Sequence, residues 1–434
     1  MKAKHKTGLV FFPAYDWAIS PSHPERQERL LYTQDQLMEE GIQDIEGLTM
    51  VRPVPCTNAD IERVHFAVPN VAQRLTDSHK VSVGGAITAY DLVFSGEVQR
   101  SFALIRPPGH HAHRIVYGDR GFCIVNNEAI ALEAMRQRYG DLRVAIVDTD
   151  CHHGDGTQDI YWNDPDTLVI NVHQDGRTLF PGTGHLDERG GPGAYGLTVN
   201  VPLPPGTGEE GFLSVLENVI MPILESYEPD LIINSAGQDN HYSDPLTSMN
   251  FTAQGYAKLT ERLAPDIAVL EGGYSIEGAL PYVNLGIVAA LAGLDYSKIR
   301  EPNYDPLRLK QSPILTRKIH RIEEQVMDQW HQRDREAHQK FQGQDFVRVP
   351  KHIFYDTDGI LEEQVTMYRV CNHCAGYHVI QSTNGRELQV LAIHVPRKAC
   401  DRCRNEALRR FENAESRYSH VYLQDRPTDR YLRK

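Results

Sequence analysis

Four short polar segments of this 434-residue chain carry side chains that bind metals or transfer protons. They lie at residues 106–111, 148–156, 235–239 and 271–274. Each has an ordinary structural interpretation when it is taken alone. Histidine pairs are more often structural than catalytic, and an Asp-x-Asp sequence after a strand often caps a loop or a helix. The joint occurrence of all four segments is what predicts a catalytic site.

The second and third segments contain a candidate metal site. Asp148, Asp150 and His152 alternate along the chain, so at the end of a strand they project to one side. Asp150 and His152 can then share one metal ion, and Asp239 can add a ligand from another strand end. Nitrogen and oxygen ligands that leave one position open suit a catalytic Zn²⁺, which acidifies water and polarises a carbonyl.

The remaining polar side chains supply acid–base chemistry. Histidine titrates near working pH, so His110 and His111 can serve as general base and general acid. Each imidazole needs a partner on its other nitrogen, and Asp148 and Asp155 are the nearby carboxylates. Tyr274 follows two glycines that allow a tight turn, and its hydroxyl can donate to a developing oxyanion.

The elements that must position these segments are predicted to alternate between strands and helices. Short apolar runs occur at residues 8–12, 101–105, 143–147, 167–172, 231–234 and 267–270, with helical patterns such as 128–138 and 212–226 between several of them. This alternation predicts an α/β domain with a mainly parallel sheet between helical layers. Ligand sites of such sheets lie outside the carboxyl ends of the strands, where the four polar segments fall.

The chain resembles the zinc-dependent histone deacetylase family, in its class II-like and bacterial branch. The motifs that carry the resemblance are Arg-Pro-Pro-Gly-His-His-Ala at 106–112, Gly-Phe-Cys-Ile-Val-Asn-Asn at 121–127, residues 148–156, Phe-Pro-Gly-Thr-Gly at 180–184, Ser-Ala-Gly-Gln-Asp at 235–239, Asp-Pro-Leu at 244–246 and Leu-Glu-Gly-Gly-Tyr at 270–274. Ser-His-Pro-Glu-Arg at 22–26 resembles the start of the same branch. The resemblance covers roughly residues 7–295 and implies an arginase-like three-layer α/β fold.

The resemblance implies two metal sites in this domain. Asp150, His152 and Asp239 match the ligands of the catalytic zinc. The family also binds a monovalent cation behind the zinc. The resemblance assigns K⁺ there to the side chain of Asp148 and to the backbone carbonyls of Asp150, His152 and Val172.

The resemblance also implies the catalytic roles. His110 and His111 match the histidine pair, with Asp148 and Asp155 as their carboxylate partners and His111 as the main proton shuttle. Tyr274 matches the tyrosine that stabilises the transition state.

Four residues match the substrate-binding positions of the family. Gly121, Phe122 and Phe180 correspond to the walls of the acyl-lysine tunnel. Leu246 stands where a polyamine-selective animal member carries an acidic residue, which disfavours that selectivity.

The C-terminal part of the chain carries a second metal argument. Two Cys-x-x-Cys pairs are separated by 25 residues, and their members are Cys371, Cys374, Cys400 and Cys403. Four thiolates at this spacing predict a tetrahedral structural Zn²⁺ in a zinc ribbon. Because four cysteines complete the site, His373 and His378 are expected to be solvated.

Composition divides the chain into three parts. Residues 1–300 hold 22 basic and 39 acidic side chains, a net charge of −17, whereas residues 301–434 hold 23 and 19, a net charge of +4. The prolines of residues 301–306 indicate a linker, and apolar residues at helical spacing predict an amphipathic helix over about 313–341. The expected organisation is a catalytic domain at 1–300, a linker and helix at 301–345, and a zinc-ribbon domain at 346–434.

Composition also excludes several classes of partner. The net charge of −13 argues against affinity for nucleic acid phosphates, and Arg402, Arg404, Arg409 and Arg410 are better explained as the solvated face of a helix. The apolar runs are too short to span a bilayer, and the first residues lack a signal-peptide core. A cytoplasmic protein without disulfides is expected.

The expected activity is zinc-dependent hydrolysis of an N-acyl group, most simply acetyl, from an amine such as acyl-lysine in a protein. Two alternatives stay open at this point. The substrate can be an acetylpolyamine or another small acylated amine, or the chain can be an inactive deacetylase fold that regulates a partner through its ribbon. The sequence leaves the oligomeric state, including a homo-oligomer, undecided.

Overall fold

The computed structural model describes residues 1–12, 19–20, 23–67, 74–385 and 388–434. Ser22 of the expected motif at 22–26 therefore lies outside the described residues. Within the described ranges, no helix is both long enough and apolar enough to cross a lipid bilayer.

A parallel sheet forms the centre of the first 300 residues. Its strands are β1 (Lys2–Phe11), β2 (Glu46–Val51), β4 (Arg100–Leu104), β6 (Val144–Asp148), β7 (Thr167–Gln174), β8 (Thr198–Leu203), β9 (Leu231–Ser235) and β10 (Ile267–Val269). The order across the described sheet is β2-β1-β4-β10-β9-β6-β7-β8, and every neighbouring pair is parallel. The short strands β3 (Phe66–Ala67) and β5 (Ile115–Val116) pair with each other.

Helices flank this sheet. They are α1 (Glu28–Glu39), α2 (Asn58–Glu62), α3 (Asp77–Phe94), α4 (Asn127–Tyr139), α5 (Asp155–Tyr161), α6 (Glu209–Val215), α7 (Met221–Tyr227), α8 (Ala253–Leu263) and α9 (Leu280–Ala292), with a π-helical segment at Leu216–Ile220. Strands β6 and β7 are buried along their whole lengths, as strands covered on both faces must be. The expected arginase-like α/β fold is confirmed.

The four motif-bearing strands are neighbours at the centre of the sheet. Strands β4, β10, β9 and β6 lie side by side and run in the same direction. Their carboxyl ends therefore meet at one edge. The loops that follow them carry the four polar segments singled out in the sequence.

A long helix follows the linker. Helix α10 (Pro313–Phe341) begins after Ser312, whose side chain accepts a hydrogen bond from the backbone N–H of Leu315 at 3.3 Å. Ile319, Val326 and Trp330 are buried on one face, and the helix packs on α6 and β8. The expected amphipathic helix over 313–341 is confirmed.

The C-terminal part is built on a second sheet. Its strands are β11 (Phe346–Tyr355), β12 (Ile360–Arg369), β13 (His378–Thr383), β14 (Gln389–Val395), β15 (His420–Asp425) and β16 (Arg430–Arg433), and helix α11 (Asp401–Glu412) covers part of it. Every described neighbouring pair is antiparallel except β14 and β15. One set of its side chains, which includes Tyr355, Ile380 and Tyr422, joins the core of the first domain. A second set packs with α11 and the cysteines.

Candidate active site

Three predicted metal ligands converge at the carboxyl edge of the parallel sheet. Asp150 and His152 follow β6, and Asp239 follows the neighbouring strand β9. One ligand atom from each residue lies within 4.8 Å of the other two. Nδ1 of His152 is 2.7 Å from Oδ2 of Asp239 and 3.3 Å from Oδ1 of Asp150. The structure thus brings together the whole Asp/His/Asp set.

The chemistry of this set fits a divalent cation. Asp150 and Asp239 are fully buried, and in the described part of the chain neither makes an ion pair with a lysine or arginine. Burial alone would lower the pKa of His152, but the carboxylates of Asp239 and Asp150 raise it to about 10. Two buried carboxylates with no lysine or arginine partner among the described residues provide the negative charge and the oxygen ligands that Zn²⁺ requires.

The backbone around these ligands is closely packed. Oδ1 of Asp239 accepts the backbone N–H of Cys151 at 2.7 Å, and Oδ2 of Asp150 accepts that of Gly272 at 2.7 Å. A Cβ atom at Gly237 would overlap the carboxylate of Asp150, so the site requires glycine there. Cys151 stands between Asp150 and His152 in the sequence. Its side chain is fully buried, as that of a small apolar residue would be.

His110 is anchored by Asp148. Its Nδ1 lies 3.0 Å from Oδ2 of Asp148, and its Nε2 lies 3.8 Å from Oδ1 of Asp150. Burial would lower the pKa of His110, but the carboxylates of Asp150 and Asp148 raise it well above its ordinary value. The two carboxylates therefore favour the protonated form of His110.

His111 occupies the opposite electrostatic situation. Its Nδ1 lies 2.8 Å from Oδ1 of Asp155, and Asp155 is in turn held by Arg120 and His113. Burial and the charge of the adjacent His110 lower the pKa of His111 to about 3. Arg120 competes for the same carboxylate, with Nη1 2.6 Å from Oδ2 of Asp155. The arrangement leaves His111 neutral, with a proton on Nδ1 and a free lone pair on Nε2.

Glu271 supports the histidine pair in a way that the sequence motif did not reveal. Its Oε2 accepts the backbone N–H groups of Gly109 at 2.7 Å and His110 at 3.1 Å. The residue is fully buried, and burial raises its pKa to about 8. Glu271 belongs to the Leu-Glu-Gly-Gly-Tyr motif at 270–274. The motif does not predict that this side chain contacts the loop after β4.

Tyr274 is positioned by a buried ion-pair network that sequence reasoning also missed. Nε of Arg29 donates to the carbonyl of Gly273 at 2.8 Å, and its guanidinium lies 5.0 Å from the centre of the Tyr274 ring. Glu25 pairs with Arg29 and lies 2.8 Å from Nε of Arg106. Glu25 belongs to the motif at 22–26 and Arg106 to the motif at 106–112, but neither motif predicts that the two residues meet Arg29.

The hydroxyl of Tyr274 is kept protonated. Burial raises its pKa well above the ordinary value, although the nearby Arg29 opposes the shift. The backbone N–H of Tyr274 donates to Oδ2 of Asp244 at 2.7 Å. A protonated, fixed phenol can act as a hydrogen-bond donor throughout the working pH range.

Gly121, Phe122 and Phe180 form one surface beside the histidine pair, here called the aromatic wall. The ring of Phe180 lies edge-on to that of His111 at 5.2 Å, and Phe122 lies edge-on to Tyr274 at 5.4 Å. A Cβ atom at Gly121 would overlap His111 and lie 2.8 Å from Cε1 of Phe180. The wall therefore adjoins His111 and Tyr274 directly.

The other expected positions are less tightly grouped. Leu246 lies in the turn after Asp244 and is 36% exposed.

Val172 lies in β7, one residue beyond Asn171, which pairs in register with Asp148. Oδ1 of Asn171 is buried and accepts no hydrogen bond from the described residues, so an oxygen atom suited to a cation remains beside Asp148.

The four cysteines of the C-terminal part also come together. One ligand sulfur from each of them lies within 4.8 Å of the others, and the members are Cys371, Cys374, Cys400 and Cys403. The first pair precedes β13 and the second begins α11. A closed four-thiolate set fits a structural Zn²⁺.

The two nearby histidines behave differently from each other. His373 is exposed, as expected. The expectation for His378 is wrong, because it is 6% exposed and its ring stacks on that of His394 at 4.6 Å. The reason is that β13 turns this residue toward the first domain, where the charge of Arg114 acts on it.

The chain is similar to several known proteins. Residues 69–290 match the model of the histone deacetylase domain. A probable deacetylase of Archaeoglobus fulgidus is 44% identical over 349 residues, which cover 73% of this chain and 96% of the relative. The acetoin utilization protein AcuC of Bacillus subtilis is 30% identical over 70% of this chain and 87% of its own length.

A solved structure is also similar. The crystal structure of the HDA15 HD domain superposes with a TM-score of 0.65 at 26% sequence identity, over 77% of this chain and 99% of that one. The matched residues 69–290 include strands β4 to β10 and the loops that carry the four polar segments. The chain belongs to the histone deacetylase family.

Proposed function

We propose that the protein is a zinc-dependent deacylase that removes an acyl group, above all acetyl, from an amine such as acyl-lysine. The observation that carries this proposal is the convergence of two carboxylate-bound histidines, a buried tyrosine and an Asp/His/Asp set at one sheet edge. Hydrolysis of an amide needs a base for water, an acid for the leaving amine and donors for the oxyanion. This edge supplies each of them.

The metal site is assigned to Asp150, His152 and Asp239. A Zn²⁺ ion held there supplies Lewis acidity, which polarises the carbonyl and acidifies water. In the same proposal Asp148 and the carbonyls of Asp150, His152 and Val172 hold K⁺ behind it. The buried Oδ1 of Asn171 beside Asp148 supports this assignment.

His111 is assigned the proton transfers. Its neutral imidazole accepts a proton at Nε2 as water attacks the acyl carbon, and the same nitrogen later delivers it to the departing amine. Asp155 stabilises the imidazolium that forms in between, because its carboxylate lies 2.8 Å from Nδ1. His110, held through Nδ1 by Asp148, is assigned electrostatic support of the developing oxyanion.

Tyr274 is assigned the second stabilising contact to the oxyanion. Its hydroxyl is a hydrogen-bond donor at working pH, and its ring is fixed between Arg29 and Phe122. A donor that is already oriented needs no rearrangement during the reaction.

The substrate assignment follows from the aromatic wall. Two phenyl rings beside the catalytic histidines favour the uncharged methylene chain of an acylated lysine over a charged one. Leu246 adds a partly exposed apolar side chain on the loop after Asp239. Because Leu246 stands where a polyamine-selective member carries an acidic residue, acylated lysine in a protein is proposed ahead of a small acetylated amine.

The test is a turnover assay on metal-loaded protein. Matched acetyl-lysine and succinyl-lysine peptides and N-acetylputrescine are compared, with a hydroxamate inhibitor and the His111→Ala variant as controls. Turnover of acetyl-lysine that the hydroxamate and the variant both abolish is expected. Preference for N-acetylputrescine would identify a small-molecule amidohydrolase. Absence of turnover with every acylated amine, in protein that contains metal, would identify an inactive regulatory member.

A further inference from the structure

The hairpin between β11 and β12 reaches from the C-terminal sheet to the active-site loop of the first domain. Its turn occupies residues 356–359, and strand β11 ends at Tyr355. The hydroxyl of Tyr355 donates to the carbonyl of Ile115 at 3.2 Å. Tyr355 is buried, so the hairpin is packed against the first domain and is not a free projection.

Three consecutive side chains of this turn bind the segment that leads to the aromatic wall. Oδ2 of Asp358 accepts the backbone N–H of Asp119 at 2.8 Å, and Oγ1 of Thr357 donates to Oδ1 of Asp119 at 3.1 Å. Oδ1 of Asp356 accepts the backbone N–H of Gly121 at 2.8 Å. The C-terminal sheet thus contacts the wall itself through Asp356.

Gly121 and Phe122 need such support because of their backbone. Arg120 and Cys123 exchange two backbone hydrogen bonds, of 3.0 and 2.9 Å, and enclose a tight turn. Both central residues have positive φ, +53° at Gly121 and +69° at Phe122. Positive φ is strained for phenylalanine and persists only where the surroundings hold it. The N–H of Gly121 lies outside the pair of turn hydrogen bonds, and Asp356 is its acceptor.

The same carboxylate adds negative charge beside the aromatic wall. Asp356 is exposed, and its charge acts on His23, whose ring lies edge-on to Phe122 at 4.4 Å. The partner of Asp358 is Arg74, 2.5 Å away, so that carboxylate is already paired. Asp356 has no ion pair with a cationic side chain in the described ranges, and its negative charge faces solvent beside the wall.

We infer that Asp356 is a positioning residue of the active site, supplied by the C-terminal sheet, that holds the Gly121–Phe122 turn and favours substrates with positive charge next to the acylated amine. The inference rests on the proposed function for its substrate class. The C-terminal part is then a component of the catalytic site as well as an appended zinc domain.

The first test measures how well the Gly121–Phe122 turn is protected from exchange in the full-length protein. Hydrogen–deuterium exchange of the peptide that covers residues 118–125 is compared in wild type, Asp356→Ala, Asp356→Asn and Glu363→Gln. Asp356→Ala should exchange at least about tenfold faster, because the N–H of Gly121 loses its acceptor. Asn retains an acceptor oxygen and should restore slow exchange. Glu363 is exposed in β12 and is the matched control.

The second test separates the positioning role of Asp356 from the effect of its negative charge on substrate binding. Acetyl-lysine peptides with arginine or with glycine at the flanks are compared at low and high salt. Asp356→Ala should lower kcat about tenfold for both peptides, and Asp356→Asn should recover most of that kcat. Asp356→Asn should raise KM about two- to fivefold for the arginine peptide alone, at low salt.

The outcomes distinguish this inference from the proposed function. If the exchange of residues 118–125 in Asp356→Ala equals that in Glu363→Gln, the positioning role is wrong, whatever the activity. If wild type hydrolyses no acylated amine, the proposed function is wrong, whereas the exchange result still decides the role of Asp356 in the wall. Equal effects of Asp356→Asn on both peptides would overturn the preference for positive charge.

Discussion

Nη2 of Arg426 lies 2.7 Å from Oε2 of Glu133, and this contact joins the C-terminal part to helix α4 of the first domain. Glu133 also lies 2.9 Å from Nη1 of Arg136. Burial would raise the pKa of Glu133, but Arg426, Arg136 and Arg397 lower it to about 2. The two parts of the chain are therefore held together by a buried carboxylate among three guanidinium groups.

This contact predicts a pH-dependent stability. The pKa of Glu133 is lower in the folded protein than in the unfolded chain, so its contribution is complete above about pH 4.5 and is lost as the pH falls toward 2. The contribution is on the order of 3 kcal/mol at neutral pH. Thermal unfolding of wild type and Glu133→Gln should differ clearly at pH 6, and the difference should shrink by pH 3. Glu217→Gln, which breaks an exposed pair with Arg262, serves as the control. A difference that is independent of pH would contradict the assignment.

Replacing Tyr274 by Phe should lower kcat by about 10²–10³ and leave the metal content unchanged. The variant removes one donor to the oxyanion while the Asp/His/Asp set stays intact. Steady-state kinetics and metal analysis on the same preparation check the prediction. Tyr139→Phe, at an exposed tyrosine of α4, should behave as wild type. Full activity in Tyr274→Phe would remove the tyrosine from the mechanism.

Replacing His111 by Ala should lower kcat by about 10²–10⁴, because the variant removes the neutral imidazole that is assigned the proton transfers. Asp155→Asn should also lower kcat, since an amide cannot stabilise the imidazolium that forms on His111. The apparent pKa of the acidic limb in the pH profile of kcat/KM should differ between wild type and Asp155→Asn. An unchanged profile would show that Asp155 does not act through His111.

The double variant Cys371→Ser/Cys374→Ser should contain about one zinc fewer per chain than wild type and should unfold at a lower temperature. The four cysteines lie in the loop before β13 and at the start of α11, so a metal held by them would crosslink the C-terminal part. Metal analysis with differential scanning calorimetry provides the measurement. Cys56→Ser, at a buried cysteine outside the cluster, should keep the zinc content of wild type. A wild-type protein with four free C-terminal thiols and a single zinc would refute the second site.

Much of the catalytic site could be predicted because its information is local in sequence. Asp150 and His152 are two residues apart, and His110 and His111 are adjacent, so their relation follows from the geometry of a strand end. Parallel strands bring such ends to one edge, which is why Asp239 and Tyr274 could be added before the fold was known. The Cys-x-x-Cys pairs were recognised for the same reason.

The contacts that depend on packing between distant segments could not be predicted in this way. Arg29 and Gly273 are 244 residues apart, and Asp356 and Gly121 are 235 apart. His378 was expected to be solvated because the sequence near the cysteines does not reveal which face of β13 turns inward.

The sequence by itself determined the strand-end chemistry, the two metal-ligand sets and the long helix over 313–341, since residue type and short-range periodicity specify which side chains share a face. Only the tertiary structure decided that a C-terminal hairpin contacts the aromatic wall and that Glu133 and Arg426 form a buried pair. The physical reason is that burial and hydrogen bonding across a domain boundary depend on which surfaces pack. Surface complementarity of that kind has no short-range signal in the chain.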